Sequence, residues 1–147
     1  MTFLYPIRKM KPYWLILSLL TVLTCKKAAF DIDPAKVYSP AKLVEKTQGK
    51  CKNSYPWDGK QVTTSGLISR PSEGIFLLLD EQNRTPLTVR VAIKNAQELA
   101  QTTAYLQANV SKKVTITGTA TSEIIATQFK CRTSISIRID NQNAIKL

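Results

Sequence analysis

Gln61-Val62-Thr63-Thr64-Ser65-Gly66-Leu67-Ile68-Ser69 is the stretch that decides the fold. Successive side chains of a strand point to opposite faces, so Val62, Thr64, Gly66 and Ile68 share one face and Thr63, Ser65, Leu67 and Ser69 the other. A glycine in mid-strand marks a bulge or a sharply coiled stretch. The segment therefore reads as a half-buried strand that bends.

The same logic extends in both directions. Arg70-Pro71-Ser72-Glu73-Gly74 predicts a turn. Ile75-Phe76-Leu77-Leu78-Leu79 is a short apolar run, as expected of a central strand buried on both faces. Asp80 to Pro86 turns the chain, and Leu87, Val89 and Val91 then alternate with Thr88, Arg90 and Ala92 as a third strand. The period changes at Asn95, which stands three residues before Glu98 in a capping-box-like start. Ala96, Leu99, Thr103 and Leu106 follow at helical spacing up to Ala108-Asn109. Val114, Ile116, Gly118 and Ala120 form a fourth strand face, Ser122 to Arg132 is irregular, and Ile135, Ile137 and Ile139 line a fifth strand. Upstream, Ser39 caps a short helix with Pro40 in its first turn and Gln48-Gly49 at its end. A turn at Tyr55-Pro56-Trp57-Asp58-Gly59 leads into the first strand.

Three strands, a helix and two strands, preceded by a short helix, resembles the oligonucleotide/oligosaccharide-binding (OB) fold. The resemblance covers residues 60–147 and implies a mostly β chain with one or two helices, closed as a small five-stranded barrel. It also implies that the helix between strands three and four plugs the barrel's end. The sequence looks like the small exported domains of this fold in bacterial envelope proteins. A small α+β sheet with one face covered by the two helices is the competing architecture. Ligands of the OB fold lie across strands two and three, between the loops joining strands one to two and four to five. Mapped here, those places hold Arg70, Phe76, Arg90, Phe129, Lys130 and Arg132 as candidate ligand-binding residues. Binding of single-stranded nucleic acid needs aromatic platforms and a basic groove. Phe76 sits among apolar neighbours and reads as core; Tyr55 and Trp57 read as covering the barrel's bottom.

The N-terminal segment carries a second signal. Arg8, Lys9 and Lys11 precede Tyr13 to Leu23, an uncharged, mostly apolar run of 11 residues. A basic end, a short apolar core and a processing site make a secretion signal; a membrane-spanning helix needs about 20 apolar residues. Met10-Lys11 would already open a complete signal. Val22-Leu23-Thr24-Cys25 resembles the lipobox of bacterial lipoproteins. That resemblance implies acylation at Cys25 and a cell-envelope location, with attachment to a membrane. Cleavage without lipid and an uncleaved anchor are the alternatives. The expected organisation is a signal peptide over 1–24, a lipidated spacer over 25–37 and one domain over 38–147.

With Cys25 assigned to lipid, Cys51 and Cys131 remain as an even pair, as suits a disulfide in an oxidising compartment. Two separate thiols are the alternative. The chain has no histidine and no C-x-x-C pair, so zinc-type spacing is absent and no metal or cofactor is expected. Without histidine the commonest general base and the Ser-His triad are unavailable, and no phosphate-cradling glycine motif occurs, so an enzyme is not expected. Residues 1–24 hold three of the 21 basic residues and none of the ten acidic ones, leaving 18 basic against ten acidic, or +8. Such an excess favours polyanions. The expected activity is non-catalytic binding to another envelope protein or component; nucleic acid or an acidic glycan is the alternative.

Overall fold

The computed structural model describes residues 29–52, 55–82, 85–128 and 130–147. In chain order the elements are β1 (Val37–Tyr38), α1 (Pro40–Thr47), β2 (Gly49–Lys50), β3 (Gln61–Ser72), β4 (Ile75–Leu79) and β5 (Pro86–Val91). There follow α2 (Ala96–Ala108), β6 (Lys113–Ala126), β7 (Cys131–Ile139), a 3-10 turn (Gln142–Ala144) and β8 (Ile145–Lys146).

Five strands close a ring. β3 pairs antiparallel with β4, and β4 with β5. β5 runs parallel to β7, and β7 is antiparallel to β6. β6 then returns antiparallel to β3, from Gln61 opposite Thr119 to Leu67 opposite Lys113. That last pairing closes the barrel and excludes the open α+β sheet. The fold is a mostly β, OB-like barrel with the expected β-β-β-α-β-β order, preceded by the short helix α1.

Alternation explains the core. Val62, Ile68, Phe76, Leu78, Leu87, Val89, Val114, Ile116, Ile135, Ile137 and Ile139 all point inward and are buried. Each such large side chain contributes roughly 1.5–3 kcal/mol relative to exposure. β4 is not buried on both faces as its apolar run suggested. Phe76 and Leu78 are sealed, while Ile75, Leu77 and Leu79 are half-buried, because only the inner surface of a barrel is closed to water.

Three further features differ from the sequence reading. β3 runs on through Arg70, Pro71 and Ser72, where a turn was expected, and its register with β4 shifts between Ser69 and Ser72. Arg70 has φ +46°, so the bulge lies there, not at Gly66. Gly66 serves close approach: a Cβ on it would stand 2.6 Å from the Leu79 carbonyl oxygen and 2.8 Å from Pro40 Cγ. Secondly, the irregular stretch is an arm. β6 continues to Ala126 and pairs with β7 as far as Cys131, beyond the end of the sealed core. There alternation loses its physical basis, and Ile124 and Ile125 are both exposed. Thirdly, the helix that packs across β3, β4, β5 and β7 is α1, burying Leu43 and Val44. α2, expected as the plug, lies chiefly along β3 through Thr102 and Leu106. Both caps form as read: Lys42 N–H donates to Ser39 Oγ and Glu98 N–H to Asn95 Oδ1.

The expected spacer is shorter than its sequence. Ile32 is only 4% exposed, Phe30 meets Tyr38 edge-on at 6.1 Å, and Val37–Tyr38 pairs in parallel with β3. Lys60 Nζ bonds both oxygens of Asp31 at 2.6 and 2.7 Å. The chain is thus held to the barrel from about residue 30, because these apolar rings find partners there.

Candidate binding surface

The surface that gathers charge is organised by the two cysteines of the folded part. β2 pairs antiparallel with β7, Gly49 opposite Thr133 and Lys50 opposite Arg132. Cys51 and Cys131 are the next pair in that register, and they are bridged, with Cα atoms 5.7 Å apart. The bridge brings Lys50 and Lys52, which flank one cysteine, against Lys130 and Arg132, which flank the other. Lys46 joins them from the last turn of α1. All five are exposed, and none has an acidic partner among the described residues.

Like charges directly opposite on neighbouring strands are destabilising. Lys50 facing Arg132 is therefore a local cost that the sheet tolerates. A pairing that violates a local rule points to a use for that surface.

Tyr55 fixes the strand that carries Lys50. Its hydroxyl donates to the Lys50 carbonyl at 2.8 Å, accepts from Lys52 N–H at 2.9 Å and lies 2.5 Å from Thr133 Oγ1. The ring stacks on Trp57 at 4.9 Å, and Trp57 is 2% exposed. Covering the barrel is thus the role of this aromatic pair. Asp58, in the same turn, accepts from Ser122 N–H at 2.6 Å and holds β6 where the arm begins.

Two contiguous concavities open here. One, of about 700 Å³, is lined by Phe30, Lys46, Lys50, Lys52, Tyr55 and Trp57 among others. The second, of about 660 Å³, lies beside the bridge between Lys50, Lys130 and Arg132. Among the described residues no acid lines either one.

The other sequence-predicted residues do not join this surface. Phe76 is fully buried and cannot serve as a stacking platform, because the barrel interior holds it; it is corrected from candidate ligand residue to core. Arg90 is exposed, yet its guanidinium is bonded to the Glu123 carboxylate, which neutralises it. Arg70 stands at the β3 bulge, away from the bridge. Phe129 and Cys25 lie outside the described residues. Lys46, Lys50 and Lys52 were not among the expected site residues. The signal that finds them is the matched pair of flanks, Lys-Cys-Lys and Lys-Cys-Arg, once the two cysteines are joined. Among the described residues no three His, Cys, Asp or Glu side chains are placed to hold a metal ion. No helix among them is long and apolar enough to cross a membrane.

No family model matches the chain, and no curated protein matches it by sequence. Among solved structures it is similar to that of RecG bound to a three-way DNA junction, at 18% identity and a TM-score of 0.39. The match covers 71% of this chain and 12% of that one, so this chain spans a small part of that protein's length.

Proposed function

We propose that this chain is a lipid-anchored protein of a bacterial cell envelope whose OB-like barrel is a non-catalytic binding module, and that it binds an anionic envelope component through the cations around the disulfide. The observation that carries this reading is the gathering of Lys46, Lys50, Lys52, Lys130 and Arg132 with no acid among the described residues to neutralise them. The export signal and Cys25 supply the location. The absence of histidine from the chain supports the non-catalytic part.

Two measurements test it. Intact mass of the purified protein is expected to show cleavage before Cys25 and added acyl chains. Titration with polyphosphate is expected to show binding at low salt that weakens steeply as salt rises, since each contact releases counterions. Lack of binding at low salt overturns the anionic-component reading and leaves an uncharged protein partner. Binding of single-stranded nucleic acid in clear preference to polyphosphate would move the assignment to the nucleic-acid alternative.

A further inference from the structure

We infer that the anionic component is the anchoring membrane itself: the face bearing Lys46, Lys50, Lys52, Lys130 and Arg132 rests on anionic lipid headgroups, with Ile125 of the β6 arm beside it. This deepens the proposed function and rests on acylation at Cys25.

The argument begins with chain length. Cys25 and Ala29 are four Cα steps apart, and an extended chain covers at most about 14 Å in that span. Ala29 and Phe30 line the same concavity as Lys46, Lys50 and Lys52. Whatever conformation residues 26–28 adopt, the rim of this concavity stays within about 14 Å of an acylated Cys25. Lys26 and Lys27 add two cations inside the tether.

Electrostatics and apolar exposure point the same way. Near an anionic leaflet each Lys or Arg strengthens attachment about fivefold, provided it comes within a Debye length of roughly 8 Å at physiological salt. The five cations are exposed and, among the described residues, have no acidic partner to offset that attraction. Ile125 pairs with Arg132, which pairs in turn with Lys50, so the three share one face across β6, β7 and β2. Ile125 is 55% exposed. Apolar side chains next to cations are the composition of segments that lie in a headgroup interface. Glu123, the nearest acid on that arm, is already bonded to Arg90. Glu45 on α1 is exposed but lines neither concavity.

The test uses the purified, full-length processed protein in vesicles of phosphatidylcholine alone or of an equal mixture with phosphatidylglycerol. A water-soluble amine-modifying reagent is applied, and each lysine is read by mass spectrometry. Lys46, Lys50, Lys52 and Lys130 are expected to be modified several-fold more slowly in the mixed vesicles than in phosphatidylcholine. The protection should vanish at about 1 M salt, where the Debye length is about 3 Å. Lys112, at the opposite end of β6 from the arm, is expected to react equally in both. The triple variant Lys50→Glu/Lys52→Glu/Lys130→Glu, all at exposed positions, should abolish the protection of Lys46 while retaining the thermal transition. Even modification of an acylated chain in the mixed vesicles overturns this inference and leaves the lipoprotein reading standing. Equal protection in both vesicle types, or protection found only in native envelopes, also overturns it, in favour of steric crowding or a protein partner. A mass without acyl chains removes the anchor and this inference with it.

Discussion

Replacing both Cys51 and Cys131 by serine should lower the stability of the barrel by about 4.5 kcal/mol. The bridge joins residues 80 apart in sequence, and the loop-closure entropy it removes from the unfolded chain corresponds to about that value. The Cα separation of 5.7 Å lies within the ordinary range for a bridged pair. The native sheet therefore has no need to move when the bridge is absent. Nor should the short strand β2 detach, since Tyr55 holds it by hydrogen bonds to Lys50, Lys52 and Thr133. The effect belongs to the unfolded state. With an unfolding entropy of about 2.1 cal/mol/K per residue over a barrel of ~110 residues, the loss amounts to a fall in Tm of about 20 °C. Circular dichroism melts of the oxidised protein, the reduced protein and the double serine variant would measure it, with the last two expected to coincide. A fall of less than about 5 °C, with the β-sheet spectrum unchanged, would refute the loop-closure account.

Other perturbations isolate other parts of the fold. Gly118→Ala places a Cβ 2.6 Å from both the Arg138 carbonyl oxygen and Ile137 Cγ2, and should cost about 1–3 kcal/mol in denaturant unfolding as β6 and β7 are forced apart. Gly49→Ala, where a Cβ would meet nothing within 4 Å, should be close to neutral; equal costs at the two sites would contradict the packing described. Asp31 is held below its ordinary pKa of 3.8 by the hydrogen bond from the Lys60 ammonium, and secondarily by the Ile32 N–H. A carboxylate depressed in the folded state stabilises at pH above its unfolded value and loses that contribution as pH falls through the folded one. Proton titration by NMR of Lys60→Met should move Asp31 back toward 3.8, and an unmoved titration would remove Lys60 as the cause.

Much of the barrel is legible locally because period-two alternation is a direct consequence of one sealed face. It holds in β3 from Val62 to Ile68, in β6 from Val114 to Ala120 and in β7 from Ile137 to Ile139, while Ser136 on the outer face of β7 is also buried. The caps at Ser39 and Asn95 are equally local, each a side chain reaching the third residue ahead. Legibility ends where the inner face ends. Ser122 to Ala126 remain extended, but no core lies beneath them to impose a pattern, so the arm carries no periodic signal.

The candidate surface divides along the same line. Sequence by itself determined the types of residue available: a basic excess, no histidine, and two cysteines each set between cations. It also determined the element order from which the OB-like barrel follows. Only the tertiary structure decided that α1 packs across the barrel's strands. It likewise paired Arg90 with Glu123 and set Lys46 on the same concavity as Lys50 and Lys52. Strand patterns record whether a residue faces the core, which each segment settles for itself. Which charges become neighbours depends on pairings between residues some 80 positions apart, and no local pattern encodes them.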